Sequence, residues 1–338
     1  MALFAANVGA HPSPLVGALN ILKHGRSALS LDLLFAATQL LRRPPFEIVH
    51  CHFGPAGLLA ARLRRIGALT GKLVTTFYGC DVSEYLRAHG SEAYRLLIEE
   101  GDLFICITDA MRDRLIASGF PPDRIAKVPV GIHLSMFTPR SRRVRPREAI
   151  RLLTVARLVE KKGLETSIKA VAAVARSHPN LTYRIVGDGP LRGQLELLIA
   201  SLRVEKWVEL VGWRTQEQVR DEFDRSHIFV LASQTAPNGD EEGLPGVLKE
   251  AQAMGLPIVS TLHSGIPEGV LDGRSGFLVP ERDVEAFADR LRYLIEHPER
   301  WPEMGRAGRE FMEQHADIEK LNDLLVRTYE GLFAAAAA

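Results

Sequence analysis

Two cations, Arg157 and Lys162, bracket a short turn in Ala156-Arg157-Leu158-Val159-Glu160-Lys161-Lys162-Gly163, between an apolar run at 151–155 and a helical pattern at 164–177. Cations at the amino end of a helix suit a bound anion, because the unpaired backbone N–H groups there also attract negative charge. The plainer alternative is a pair of solvated surface charges. Gly187-Asp188-Gly189-Pro190 follows the next apolar run. Its glycines permit close approach of backbone to ligand, although a tight turn with Pro190 opening the following helix explains them as well. The third constellation is Glu242-Gly243-Leu244-Pro245, which opens a helical pattern that also carries Glu250. Pro245 suits the first helical position. Leu244, Val247, Leu248, Ala251 and Met254 recur at helical spacing as the buried stripe, with Glu250 flanking it and Lys249 turned more towards solvent. Backbone N–H groups around Gly243, Leu244 and Pro245 offer an anion site. Two carboxylates beside such a site repel a bare phosphate but suit a ligand that also presents hydroxyls, one set on a ribose and one on a sugar. The alternative is an acidic helix start stabilised by the macrodipole, with Glu250 on the surface.

These residues lie between short apolar runs that alternate with helical stretches, the pattern of parallel α/β sheets. In the first half, strands are expected at 48–52, 73–77, 103–107 and 126–130, with helices at 57–69 and 109–118, the latter capped by the Thr108 hydroxyl. Two further helical patterns cover 14–22 and 28–41. The second half repeats the rhythm, with strands at 151–155, 183–186, 208–211, 228–232, 257–260 and 276–279. Helices fall at 164–177, 191–202, 216–223, 245–254 and 284–296, and a last helix at about 318–332. Open sheets of this kind bind ligands at the carboxyl ends of their strands, where Arg157, Gly187, Asp188 and Glu242 stand. The segment 138–147 holds two prolines and five arginines and reads as a solvated linker, the alternative being a lipid- or phosphate-binding patch. The expected division is therefore 1–139, a linker at 140–148, 149–314, and a helix at 315–333 that packs back on the first domain.

The 338 residues suit two domains of ordinary soluble composition, 46% hydrophobic and 25% charged. No apolar run is long enough to span a bilayer, and His11, Pro12, Ser13 and Pro14 interrupt the uncharged start, against a secretory signal. Cys51, Cys80 and Cys106 are too sparse for a metal cluster or a disulfide framework, which favours a cytoplasmic setting. The alanines from Ala334 to Ala338 read as an unstructured tail. Residues 1–148 hold 19 basic and 12 acidic side chains, so an excess of positive charge sits in the first half. That excess, with Arg62, Arg64 and Arg65 on one apolar helix, raises an anionic membrane surface as a partner. No nucleic-acid motif is present.

Glu242 to Ala251, with seven residues between its two acids, resembles the two-glutamate motif of family 4 retaining glycosyltransferases. Arg157 to Gly163 resembles the same family's basic motif. Gly187-Asp188-Gly189-Pro190, Val211-Gly212-Trp213, Gly255 to Ser260, His263 to Glu268 and Gly273 to Val279 follow in the family's order, so that the resemblance covers about residues 46 to 330. His50-Cys51-His52-Phe53-Gly54 and Gly239 to Gly243 point to the exopolysaccharide and colanic-acid type. The resemblance implies the GT-B fold, two facing doubly wound Rossmann-like domains, the second binding the donor. By carry-over, Arg157 and Lys162 bind the donor diphosphate, Glu242 meets donor-sugar hydroxyls, Glu250 binds the ribose, and backbone at Gly212 and Trp213 faces the base. Tyr78 stands where relatives have a histidine that reaches the donor sugar, and His133 stands where they often have aspartate.

The reaction so implied is transfer from a nucleotide-diphospho sugar, uridine favoured over guanosine, to a hydroxyl of a glycan or lipid-diphosphate-linked acceptor. No cofactor is expected, and no metal, because no Asp-x-Asp pair stands at a strand end. Relatives open with a strand and a glycine-rich turn that residues 1–46 do not show. The first domain is therefore expected to lack that unit and the chain to be weakly active or inactive, unless 1–10 form an atypical strand with Gly9 or Gly17 at the turn. The rival functions are a nucleotide-sugar epimerase and a catalytically impaired sugar-nucleotide-binding protein.

Overall fold

The computed structural model describes residues 12–20, 31–41 and 43–334. The chain forms two compact units. One runs through Val128 and takes up the chain again from Leu325; the other is Pro129–Leu324. The boundary thus falls at 128/129, ahead of the expected 139/140.

In the first unit the helices are α1 (Pro12–Ala18), α2 (Asp32–Leu40), α3 (Gly54–Arg65), α4 (Glu84–His89), α5 (Arg95–Glu100) and α6 (Asp109–Ala117). The strands β1 (Ile48–His52), β2 (Lys72–Thr76), β3 (Leu103–Cys106) and β4 (Ile125–Lys127) form a parallel sheet in that order. Thr108 caps α6 as expected, its hydroxyl accepting the Met111 N–H. Phe77, Phe104 and Phe120 are buried and meet edge to face, with ring centroids 5.3 and 4.7 Å apart on Phe120. Gly57 lets α3 lie against the sheet, since a Cβ there would stand 2.4 Å from Thr75 Oγ1. The expectation for 1–10, including Gly9, lies outside the described residues, as do 21–30 of the two early helices and the last four alanines. Gly17 lies within α1.

The second unit carries a six-stranded parallel sheet: β5 (Ile150–Val155), β6 (Leu181–Val186), β7 (Val208–Gly212), β8 (Ile228–Leu231), β9 (Ile258–Thr261) and β10 (Gly276–Val279). The order across it is β10-β9-β8-β5-β6-β7. Its helices are α7 (Leu164–Ala175), α8 (Arg192–Leu202), α9 (Gln216–Arg225), α10 (Gly246–Ala253), α11 (Val284–Glu296) and α12 (Trp301–His315). α13 (Ile318–Ala334) begins in this unit and ends among residues of the first. Strands β8 and β9 are buried at every position, as expected where helices cover both faces. The hydroxyls in these central strands are satisfied: Ser260 Oγ donates to Leu231 O at 2.6 Å and Thr261 Oγ1 to Ser233 O at 2.5 Å.

Three expectations need correction. The segment read as a solvated linker is anchored: Arg142 is buried and donates to the carbonyls of Asp224, Ser226 and Met254. Its composition suggested solvent, but a guanidinium can be buried where several carbonyls meet it. Pro245 is the N-cap of α10, with extended ψ of 122°, and the helix begins at Gly246. Lys249 does not face solvent; it is 2% exposed and donates to Val130 O at 2.5 Å. Helix α12 adds an element absent from the expectations, held at its start by buried Trp301, whose indole donates to Leu294 O.

One buried histidine makes this unit sensitive to acid. His227 Nδ1 accepts the Arg151 N–H at 2.9 Å. Burial, reinforced by the Arg151 charge, pulls its pKa from 6.5 to about 4. The folded value is the lower one, so the unfolded chain takes up a proton first as pH falls. The stabilisation is complete above the unfolded value and is lost as pH falls towards 4. Stability against urea should therefore fall between pH 7 and 4.5, and His227→Gln should flatten that dependence. An unchanged pH slope in the variant would contradict this assignment.

Candidate donor site

In the second unit β5 and β8 are neighbours, and the sheet grows outwards from them in opposite senses. This is the switch point at which successive loops part and open a crevice at the strands' carboxyl ends. The loop after β5 carries Arg157, Lys161 and Lys162, and the loop after β8 carries Asp240, Glu241 and Glu242. Close backbone packing fixes both. Gly163 has φ +59°, and a Cβ on it would lie 1.7 Å from Ala232 O, so only glycine fits between the loops. Gln234 N–H donates to Lys161 O at 2.9 Å, and its side-chain amide to Glu160 O at 3.0 Å. The neighbouring β6 loop is tied in as well, with Leu158 N–H donating to Asp188 O at 3.0 Å.

These contacts bring Lys162 and Glu242 together, Nζ to Oε1, at 2.8 Å, with side chains only 12% and 11% exposed. Lys161 is also buried. Its Nζ meets Asp240 Oδ1 at 2.9 Å and Glu241 O at 3.3 Å, and lies 4.0 Å from Glu242 Oε1. Arg157 is exposed, and its guanidinium has no partner among the described residues. Among the described residues the site therefore holds one uncommitted cation, one cation paired with Glu242, and a third, buried cation that supports the acidic loop.

Glu250 lies on α10, partly buried, and its carboxylate makes no hydrogen bond among the described residues. Burial raises its pKa, opposed by Lys249 beside it. Burial likewise pulls Lys249 down to about 8. A part-buried carboxylate without a donor is suited to accept from ligand hydroxyls. At the amino end of the helix no side chain caps the backbone, and the space beside Gly246 is open. Leu244 is half-buried over Gly269, while Gly243 and Pro245 are buried, and Gly243 O accepts the Gly265 N–H at 3.0 Å. Gly187 and Gly212 lie in adjacent loops, with Gly187 N–H donating to Gly212 O at 2.9 Å. A Cβ on Gly187 would stand 1.9 Å from Ala156 O. Asp188 is exposed, its carboxylate turned back onto the Gly189 N–H. Trp213 is 69% exposed, a flat apolar face at the end of β7.

The first unit has its own cluster at a sheet edge. Tyr78 OH is 2.5 Å from His52 Nδ1, and the His52 and His50 rings stack at 4.6 Å. His50 bonds Thr76 Oγ1 at 2.7 Å and Tyr329 OH at 2.5 Å. Burial first, and His52 second, lower the His50 pKa to about 4, so His50 is neutral at physiological pH. Buried Asp81 shapes the segment by accepting from the N–H groups of Gly54, Tyr78 and Gly79. His133 is exposed.

Sequence reasoning placed Lys161 and His263 within matched segments but gave no role to them, and did not single out Glu281. His263 and Glu281 each stand two residues beyond the end of a strand, and those strands are adjacent. Strand register is the signal that would have paired them.

Two parallel α/β units, the second carrying cations and paired acids at its switch point, define a glycosyltransferase of the GT-B fold that uses a nucleotide-sugar donor. Residues 138–311 match the family described as Glycosyl transferases group 1, and residues 4–136 match Glycosyltransferase Family 4; the chain belongs to this family. WcaL of Escherichia coli (strain K12), assigned as a colanic acid biosynthesis glycosyltransferase, is 37% identical over 328 residues, 96% of this chain and 80% of its own length. The amylovoran biosynthesis glycosyltransferase AmsK of Erwinia amylovora is 39% identical over 282 residues, 82% of this chain and 69% of its own. The crystal structure of Anabaena Alr3699/HepE in complex with UDP shares the fold, with a TM-score of 0.74 over 88% of this chain and 82% of that one, at 18% identity.

Proposed function

We propose that this chain transfers a sugar, with retention of anomeric configuration, from a uridine diphosphate sugar to a hydroxyl of a glycan or lipid-diphosphate-linked acceptor. The step belongs to the assembly of a cell-surface polysaccharide on the cytoplasmic side of the membrane. The observation that carries this reading is the Lys162–Glu242 pair at the switch point of the second sheet, in a loop that also carries Arg157, whose guanidinium has no partner among the described residues. Breaking the glycosidic bond leaves negative charge on the nucleoside diphosphate. Arg157, Lys162 and the open amino end of α10 supply positive potential for it, the kind of preorganised stabilisation that is often the largest catalytic contribution. A diphosphate draws Lys162 away from Glu242, whose carboxylate then turns to sugar hydroxyls. Glu250 takes the ribose hydroxyls, and Gly212 and Trp213 face the base. The assignment of the assembly pathway is supported by the colanic acid and amylovoran relatives.

No helix among the described residues is long and apolar enough to cross a membrane. The arginines behind the expected contact with an anionic membrane are largely engaged. Arg64 bonds Asp102 and Glu100 O, and Arg65 bonds Glu99 and Glu100. We therefore assign membrane proximity to the acceptor's lipid rather than to this helix.

The test is nucleotide release from labelled uridine and guanosine diphosphate sugars, with and without a lipid-diphosphate-linked glycan, in buffer and in chelator. Release that requires the acceptor, favours uridine and survives chelator is the expected result. Preference for guanosine would correct the base, and dependence on added divalent metal would refute metal-independent transfer. Release of an altered free sugar without acceptor would replace transfer by epimerisation.

A further inference from the structure

His263 and Glu281 lie beyond the ends of β9 and β10, and the register of these strands pairs Thr261 with Val279. Continuing that register by two residues brings His263 and Glu281 to the same level at the carboxyl edge. His263 is 1% exposed. Its Nε2 accepts the backbone N–H of Glu242 at 3.1 Å, and its Nδ1 lies 2.5 Å from Glu281 Oε1. A backbone N–H can only donate, so Nε2 carries the lone pair and the ring proton sits on Nδ1, facing the carboxylate. The two partners thus select one neutral tautomer. Burial alone would raise the Glu281 carboxyl, but the Thr235 N–H and His263 hold it below the usual carboxylate range. Its second oxygen, Oε2, accepts the Thr235 N–H at 2.8 Å.

One carboxylate therefore holds both ends of the segment 235–242, directly at Thr235 and through an imidazole at Glu242. Lys161 holds the middle through Asp240 and Glu241 O. We propose that His263 and Glu281 are positioning residues for the transfer reaction, acting through Glu242 and touching no substrate themselves. The inference rests on the reading that Glu242 meets the donor sugar. With its N–H fixed, the Glu242 peptide cannot drift, and its carboxylate approaches the sugar from one direction. Misplacement of a catalytic group by about 1 Å can cost on the order of 100-fold in rate.

The experiment measures transfer by the full chain for His263→Phe and His263→Gln, each in the wild type and in Glu242→Ala, with amide hydrogen exchange at Glu242 as a second readout. Phenylalanine keeps a ring but offers no acceptor, whereas the glutamine carbonyl can accept the Glu242 N–H. The expected result is a loss of about 10- to 100-fold in kcat for His263→Phe, most of it recovered in His263→Gln. In Glu242→Ala the same phenylalanine should cost less than about twofold, because residues that act through one group are not additive. Exchange at Glu242 should quicken in His263→Phe and stay slow in His263→Gln. Equal losses in both backgrounds, or unchanged exchange in His263→Phe, would overturn the proposal. If Glu242→Ala turns over at the wild-type rate, the sugar-side role of Glu242 fails, and the proposed positioning role fails with it. Slow exchange restored by glutamine would then show the brace to be structural only. Should His263→Phe not fold, Glu281→Ala takes its place, with the same losses and the same non-additivity expected.

Discussion

Arg157→Ala should lower kcat by about 100- to 1000-fold, equivalent to roughly 2.7–4 kcal/mol of transition-state stabilisation, the cost of removing one donor aimed at developing charge. Arg157 is suited to such a test because it has no partner among the described residues. Its removal leaves no internal charge uncompensated, so the fold should be unaffected and the loss should fall on the chemical step. Lys162→Ala should lose at least as much, but by two routes. It removes a cation from the diphosphate, and it leaves the Glu242 carboxylate with only Lys161, 4.0 Å away. Part of that loss should therefore appear as a lower melting temperature, whereas Arg157→Ala should melt as the wild type does. Steady-state rates at saturating donor check both variants. Unchanged kcat in both would place the diphosphate elsewhere.

The two glutamates should separate binding from turnover. Glu250→Gln should weaken the free nucleoside diphosphate by about 10- to 100-fold, the range for losing hydrogen bonds to a charged acceptor. The ribose is common to donor and product, so this loss needs no sugar to be visible. Glu242→Gln should leave the affinity for free nucleotide within about twofold and depress turnover by about 100-fold, because its partner is present only on the intact donor. The geometry of the two carboxylates supports the difference. Among the described residues Glu250 has no hydrogen bond to surrender, whereas Glu242 is held by Lys162 at 2.8 Å and must exchange that partner for the sugar. Calorimetry with the nucleotide alone, beside kcat with the full donor, reads both. Equal losses of nucleotide affinity would remove the division of labour.

The parallel α/β architecture was legible because buried strands leave short apolar runs bounded by turn residues, and every expected strand is present with its ends moved by at most a few residues. Lys162 and Glu242 were legible because each stands at a strand-end loop next to a helix start. Lys161 was not, since two adjacent lysines look alike in sequence. The 3-10 turn at Glu160–Lys162 directs one to Asp240 and the other to Glu242. Lys249 was misread because its acceptor, Val130 O, is 119 residues distant and leaves no trace in helix periodicity. Arg142 was misread because a run rich in arginine and proline suggests solvent unless the carbonyls that receive it are known. Strand register would have found more than composition did. His52 pairs with Thr76 across β1 and β2, which places Tyr78 near the histidines, as Thr261 and Val279 place His263 beside Glu281.

The central claim is that the loops after β5 and β8, with α10, hold the donor nucleotide. A crystal structure of the full chain with uridine diphosphate tests it most directly. The account predicts the diphosphate within hydrogen-bond distance of Arg157 and Lys162, and the ribose hydroxyls on the Glu250 carboxylate. It also predicts the Lys162–Glu242 contact lengthened beyond its 2.8 Å in the free protein. A nucleotide bound away from these three side chains, with the Lys162–Glu242 pair intact, would contradict it.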